Sequence, residues 1–289
     1  MELLKIIFDS WQFNLAMSLV FSVLLIQFYK LAVKETQCEG ASTIILQLVA
    51  GISVLFFVPF FSFRFPNDLW IYLLLLLATI FYAINDRMQT TVRKNLDVSV
   101  YTILNQLSKV FMVLYGITLF HEPVVMNKLV GGGLILLGNV LLFYRKGKLK
   151  FNKNVILSVT ASFFMATALM IDVGISKQFN LPFYVMLTLI IPGGFIFLTG
   201  RHSLGEISKE FKSNRQKYYI ITGISWGLLL LFSIRALQAA EIIFIAPLLA
   251  TSVLLNVLVA SVMHKEKSGL AKKIIAAVIV ILGIFVMVY

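Results

Sequence analysis

The sequence predicts an all-α polytopic membrane protein with ten transmembrane helices arranged as two inverted five-helix repeats. Three observations carry this. Uncharged runs recur along a chain that is 60% hydrophobic and 13% charged. A block of the first half returns in the second half. Each half holds an odd number of spans, so the two halves must enter the membrane in opposite directions.

The uncharged runs cover residues 11–29, 41–63, 69–85, 110–120, 129–144, 154–171, 178–200, 218–234, 242–263 and 274–289. Several reach the ~20 residues needed to cross ~30 Å of hydrocarbon. Only helices and closed barrels satisfy their own backbone there. The runs do not alternate apolar and polar residues, which excludes a barrel.

Polar connections place the helices near 11–34, 41–63, 68–93, 97–120, 127–144, 155–177, 182–200, 217–237, 241–263 and 271–289. The first run is too long for a cleavable signal and lacks a small-residue cleavage site, so it reads as a retained span. The longest connection, 201–217, is basic and polar. It reads as a solvated loop, with an amphipathic surface helix as the alternative. The third run meets Asn85, Asp86 and Arg87 together, and its end is set by comparison with the second half below.

The repeat has a definite register. "DVSVYTILNQLSKVFMVLYGITLFHE" runs from Asp97 to Glu122, and "EIIFIAPLLATSVLLNVLVASVMHKE" from Glu241 to Glu266. Each is an acid, an apolar helix, then His and Glu at a helix end. A helix with small residues follows each. Gly131 and Gly138 share one face, as do Ala276 and Gly283. Small residues at that spacing let helices approach closely. Two domains follow, 1–148 and 149–289.

Composition narrows the function classes. Cys38 is the single cysteine, so no intrachain disulfide and no cysteine-based metal site can form. The net charge of +12 marks cytoplasmic loops, not a nucleic-acid partner. Of the Lys and Arg residues, 18 of 25 fall in loops after odd-numbered spans and 5 on the other side. The positive-inside rule then puts both termini outside the cell membrane.

Five stretches, with the Gly-rich fifth helix, give the chain a family likeness. "QFYKLAV" (27–33) and "VGISKQF" (173–179) end helices in the two halves. "FSIRALQAAEI" (232–242) has an aromatic-x-basic-Ala-Leu stretch, and "LFHEP" (119–123) and "VMHKEK" (262–267) carry helix-ending Glu residues. "GGLILLGNVLL" (132–142) is the Gly-rich helix. In this order the chain resembles the drug/metabolite transporter superfamily, in particular its EamA-like ten-helix members. The likeness covers almost the whole chain; each motif alone is weak, and none names a substrate. A family proline thirteen residues before each helix-ending Glu is replaced by Lys109 and Val253. The Ala236–Leu237 pair reads Val92 and Arg93 in the first half. The resemblance implies secondary transport, with both termini inside, against the charge count. It also implies a cavity lined by spans one, three, four, six, eight and nine.

Matching Val92 to Ala236 carries the third helix to about Arg93 and sets Asn85, Asp86 and Arg87 against three leucines, Leu229 to Leu231. Asp172 falls five residues before Lys177. Lys109 has eleven uncharged residues on either side. A lysine at mid-bilayer costs ~3 kcal/mol on insertion scales. Tyr101, Asn105, Ser108, Lys109 and Met112 share a helix face, as do Thr79, Tyr82, Asp86 and Thr90. Arg87 points about 100° from Asp86.

Two readings stand side by side. Asp86, Arg87, Lys109 and Asp172 either pair with one another to hold the halves together, or they handle substrate and protons. On the second reading Lys109, Arg87, Asn105, Tyr82, Ser22, Trp226 and Asn256 bind substrate. Asp86 and Asp172 carry the coupling proton. Lys30, Lys177 and Arg235 lie near helix ends as gate or interfacial residues. His121 and His264 sit at matching helix ends and suit loop contacts. No metal site is expected, nor any cofactor. No phosphate loop, nucleophile motif or paired catalytic acids appear, so no enzyme is expected.

The expected partners are a small-molecule substrate and the lipid bilayer, with no nucleic acid, the protein being a monomer or weak homodimer. The expected function is alternating-access transport of a small polar metabolite, an amino acid or an organic anion. Proton-driven export is implied by the resemblance. The alternatives are a non-transport regulatory membrane subunit and a flippase for a lipid or lipid-linked sugar.

Overall fold

Short polar side chains at the starts of several helices set the element boundaries. The computed structural model describes residues 8–33, 36, 38–96, 98–144, 152–200, 202–212, 216–263 and 270–289. They form α1 (Trp11–Val33), α2 (Glu39–Leu55), α3 (Leu69–Asn95), α4 (Val98–Asn105), α5 (Leu107–Thr118), α6 (Met126–Phe143) and α7 (Lys153–Ile175). Then come α8 (Leu181–Gly200), α9 (Leu204–Phe211), α10 (Gln216–Ala239), α11 (Ile242–Ala250), α12 (Ser252–Met263) and α13 (Leu270–Val288). Among the described residues, ten helical segments are long and apolar enough to cross a membrane. The fourth and ninth segments are each built of two helices.

Asp68 Oδ1 accepts the Trp70 N–H at 2.9 Å and starts α3. Asn152 Oδ1 accepts from Asn154 and Val155 at 3.0 and 3.1 Å and starts α7. Asn180 Oδ1 takes the Phe183 N–H at 3.2 Å and starts α8. Each cap satisfies donors that the first helical turn leaves free. α3 runs unbroken through Asn85, Asp86 and Arg87, as the comparison of halves requires. The helix does not stop at those charges.

The chain divides into two compact units, one reaching to Ala83 and including Ile171–Ala236, the other Ile84–Met170 with Leu237–Tyr289. Each takes residues from both sequence halves. In the first unit α2 packs against α8. A Cβ at Gly227 of α10 would stand 2.5 Å from the Ala50 carbonyl oxygen, so only glycine allows this approach to α2. The Phe8 ring lies 5.7 to 6.3 Å from the rings of Phe13, Phe57, Phe60, Phe61 and Phe232. Arg235 pairs with Asp9 and donates to the Phe8 carbonyl at 3.2 Å.

The connection 201–217 departs from the solvated-loop reading. Residues Leu204–Phe211 form α9, started by a reciprocal capping box. Ser203 Oγ accepts the Glu206 N–H at 3.2 Å, and Glu206 accepts the Ser203 N–H at 3.0 Å. Ile207 and Phe211 pack on the buried cluster of Ala32, Ile45, Leu46 and Tyr219. Two apolar residues four apart, in a polar segment of only eight, decide helix over loop.

In the second unit α6 and α13 pack along their length. A Cβ at Gly131 would lie 2.5 Å from the Gly283 carbonyl oxygen, and one at Gly138 3.1 Å from that of Ala276. The small residues that repeat across the halves therefore face one another. α11 packs on α5 and α6. Both Glu122 oxygens cap α11, accepting the N–H groups of Ile242 and Ile243 at 2.7 and 2.8 Å. Lys128 pairs with Glu241 beside this cap. His121, at φ 52°, lies in the left-handed region and turns the chain so that Glu122 reaches α11.

Candidate functional site

The first unit buries one carboxylate completely. Asp172, on the last turns of α7, is 0% exposed. Tyr184 of α8 donates its hydroxyl to Oδ1 at 2.6 Å, and Tyr82 of α3 donates to Oδ2 at 2.7 Å. The Ser176 hydroxyl donates to the Asp172 backbone carbonyl. Phe179 closes one side, with its ring 5.1 Å from that of Tyr184. Among the described residues no cation pairs with Asp172. An ionised carboxylate there depends on the two tyrosine hydroxyls for its solvation. The chemistry available is retention and release of a proton, or attraction of a cationic group.

The second unit gathers a row of amides. Asn85 and Gln89, one turn apart on α3, are 5% and 7% exposed. Gln89 donates to Asn85 Oδ1 at 3.4 Å and to Asn105 Oδ1 at 3.3 Å. Asn85 donates to Asp86 Oδ1 at 3.0 Å, and its amide lies 3.9 Å from Met165 Sδ. Lys109 follows one turn after Asn105. It is half-buried, and among the described residues its ammonium meets only Met112 Sδ, at 3.9 Å. A thioether is a weak acceptor, so the charge is poorly matched.

This row lies where the fourth span tightens by one turn, its backbone staying in the right-handed helical region at Gln106 (φ −67°, ψ −19°). α4 ends at Asn105 and α5 begins at Leu107, with Gln106 in a turn between them. The Lys109 N–H bonds the Gln106 carbonyl at 2.9 Å, a tight turn in place of helical pairing. Ser162 donates to the Leu104 carbonyl at 3.2 Å. The ninth span tightens similarly at Thr251, between α11 and α12, again with helical dihedrals (φ −62°, ψ −21°). There Asn139 donates to the Ala250 carbonyl at 2.8 Å. Gln106 matches Ala250 in the repeat, so the two tightened turns fall one residue apart. Gln89 Oε1 and Gln106 Oε1 are buried without a hydrogen-bond partner among the described residues.

The remaining expected residues scatter. Ser22 is buried on α1, and Trp226 of α10 packs beside the Tyr219 cluster; neither bonds Asp172. Asn256 is buried on α12 and donates to the Ser252 carbonyl of its own helix at 2.8 Å. Arg87 is exposed, as its angle from half-buried Asp86 implies. Lys177 is exposed on a short turn after α7. Arg235 is committed to Asp9 at a helix end. The Lys30 side chain and all of His264 lie outside the described residues.

Lys109, Arg87 and Asp172 make no ion pair among the described residues, so none of these three forms the salt bridges of the first reading. Among those residues no group of three or more His, Cys, Asp or Glu is placed to hold a metal.

Tyr184, Gln89 and Gln106 complete these clusters without having been singled out in the sequence. Gln89 had a signal, standing four residues after Asn85 on one face. Tyr184 had none, because its partner reaches it through tertiary packing.

No family model and no curated protein matches this chain. Solved structures are similar to it; among them is a crystal structure of a protein with a TM-score of 0.76 and 13% identity, covering 96% of each chain. At that identity the likeness establishes a shared fold.

Proposed function

We propose that the protein is a secondary transporter of small polar metabolites, working by alternating access, as the EamA-like resemblance implies. The observation that carries this is the buried row of amides beside Lys109, a poorly matched ammonium within a membrane span. Polar and ionisable groups buried within spans mark substrate and ion pathways. Here Lys109, Asn105, Gln89 and Asn85 lie about a tightened turn of the fourth span, with spare amide oxygens on Gln89 and Gln106. An ammonium beside free amide acceptors suits a ligand with a carboxylate and hydrogen-bond donors. An amino acid has both; an organic anion uses the lysine. Asp172, solvated by two tyrosines, suits the coupling proton, with Asp86 as the second candidate.

The test is counterflow into proteoliposomes with a panel of amino acids and organic anions, comparing the intact protein with Lys109→Ala. Transport of one panel class, reduced at least tenfold by the substitution, is the expected result. If no class moves, or if Lys109→Ala transports normally, the assignment fails. A flippase would move lipid-linked substrates and ignore the panel. A regulatory subunit would transport nothing.

A further inference from the structure

The amide row of the second unit has a direction. Asn85 Nδ2 donates to Asp86 Oδ1 at 3.0 Å and lies 3.9 Å from Met165 Sδ. An ionised carboxylate and a thioether have no hydrogen to give. Turned over, the Asn85 amide would set its oxygen against both. Its nitrogen therefore faces Asp86, and its oxygen faces Gln89.

Gln89 is fixed in turn. Its nitrogen donates to Asn85 Oδ1 at 3.4 Å and to Asn105 Oδ1 at 3.3 Å, which uses both amide hydrogens. Reversed, Gln89 would set its oxygen against that of Asn85. Gln89 Oε1 is thus turned away from both neighbours. It is buried and has no hydrogen-bond partner among the described residues. A buried carbonyl oxygen without a donor is costly to keep.

Amides alone do not account for this. A row of them could reverse as a whole, because each side chain has a donor end and an acceptor end. Asp86 forbids the reversal, since a carboxylate only accepts. Lys109 stands one turn beyond Asn105, and among the described residues its ammonium meets only the Met112 thioether. A cation short of an anion and an oxygen short of a donor therefore belong to one row.

We propose that Asp86 is a positioning residue for substrate selection. Through Asn85 it holds Gln89 so that Oε1 takes the ammonium of a zwitterionic substrate whose carboxylate meets Lys109. This assignment rests on the transport reading above, and Gln89 Oε1, covered here, is reached in the course of alternating access. It separates the two ligands that the reading leaves together. An organic anion without a donor leaves the Gln89 oxygen unmatched and is carried poorly. Asp86 then acts through the amides and not as a proton carrier.

The experiment is counterflow into proteoliposomes without a pH gradient. Each amino acid of the panel is compared with the carboxylic acid that lacks only its amino group. The wild type should favour the amino acid by roughly tenfold or more. Gln89→Met keeps the length and removes the oxygen, so the ratio should fall towards one. Asp86→Asn offers an amide that either donates or accepts, so the row can reverse and the ratio should fall likewise. Asp86→Glu keeps the carboxylate and should keep most of the preference. A wild-type ratio near one overturns the assignment, as does a ratio that Gln89→Met leaves unmoved. Asp86→Asn at the wild-type ratio overturns the positioning role; if it also loses accumulation driven by a pH gradient, Asp86 is a proton carrier instead. Loss of the preference in Asp86→Glu as in Asp86→Asn would reduce Asp86 to a structural part and overturn the role too. Should Asp86→Asn not fold, Gln89→Met and Asp86→Glu still decide. Transport of no panel member by the wild type sinks the transport reading and this assignment with it, whereas transport with an unmoved ratio sinks this assignment alone.

Discussion

The Glu122 carboxylate accepts the backbone N–H of Ile242 at 2.7 Å, so a residue of the first sequence half closes a helix of the second. Its other oxygen takes the Ile243 N–H. The charge also faces the positive end of the α11 dipole. Glu122→Ala should cost about 1–2 kcal/mol, the range of a lost cap. Thermal unfolding in detergent measures it; an unchanged midpoint would show the cap to be idle.

Lys109 separates function from stability. Its ammonium meets a thioether and no acid among the described residues, so Lys109→Met removes a poorly matched charge and keeps the side chain's length. The melting temperature should stay level or rise. Transport should fall at least tenfold. A drop of more than about 2 kcal/mol in stability would instead reveal a structural ion pair.

Asp172 and its tyrosines should come apart in the opposite manner. Tyr184→Phe leaves one oxygen of a fully buried carboxylate without its donor, at a cost of about 1–3 kcal/mol. Asp172→Asn removes the titrating group and keeps polar contacts with both hydroxyls, so it should unfold near the wild-type temperature. Substrate exchange in proteoliposomes should persist in Asp172→Asn, while accumulation driven by a pH gradient is lost. Gradient-driven accumulation at the wild-type level would remove Asp172 from the coupling step.

Gly131 tests the α6–α13 contact. A Cβ there would stand 2.5 Å from the Gly283 carbonyl oxygen, a backbone atom that no rotamer change can move. Gly131→Ala should destabilise by about 1–3 kcal/mol, the usual range for overpacking. Gly133 faces open space, so Gly133→Ala is the control and should be neutral or better. Equal effects at the two positions would contradict the packing.

Membrane orientation is the fifth expectation. The charge count puts both termini outside, and a C-terminal reporter active only on the outer side should give signal. Cytoplasmic signal would favour the orientation that the family resemblance implies.

What the sequence disclosed, and what it did not, follows from where the determining forces lie. The passage of α3 through Asn85, Asp86 and Arg87 was legible because the second half carries the same helix without charges. The small-residue faces holding Gly131 and Gly283 were legible as matched residues at one spacing; that the two faces meet each other was not. Pro247 removes an N–H within α11, but the helix runs past it, so it did not mark the tightened turn at Thr251. The tightened turn at Gln106 had no local sign either, since neither glycine nor proline stands there and Ser162 arrives from another helix. α9 was obscured by its short length. The Asp172–Tyr184 bond joins two separate helices, and no periodicity in either announces the other.

The contacts of Phe8 and Asp9 bear on how the protein should be handled. Phe8 is enclosed by five aromatic rings, and Asp9 is paired with Arg235. A variant lacking Phe8 and Asp9 would lose that knot and would be expected to express poorly for reasons unrelated to its substrate.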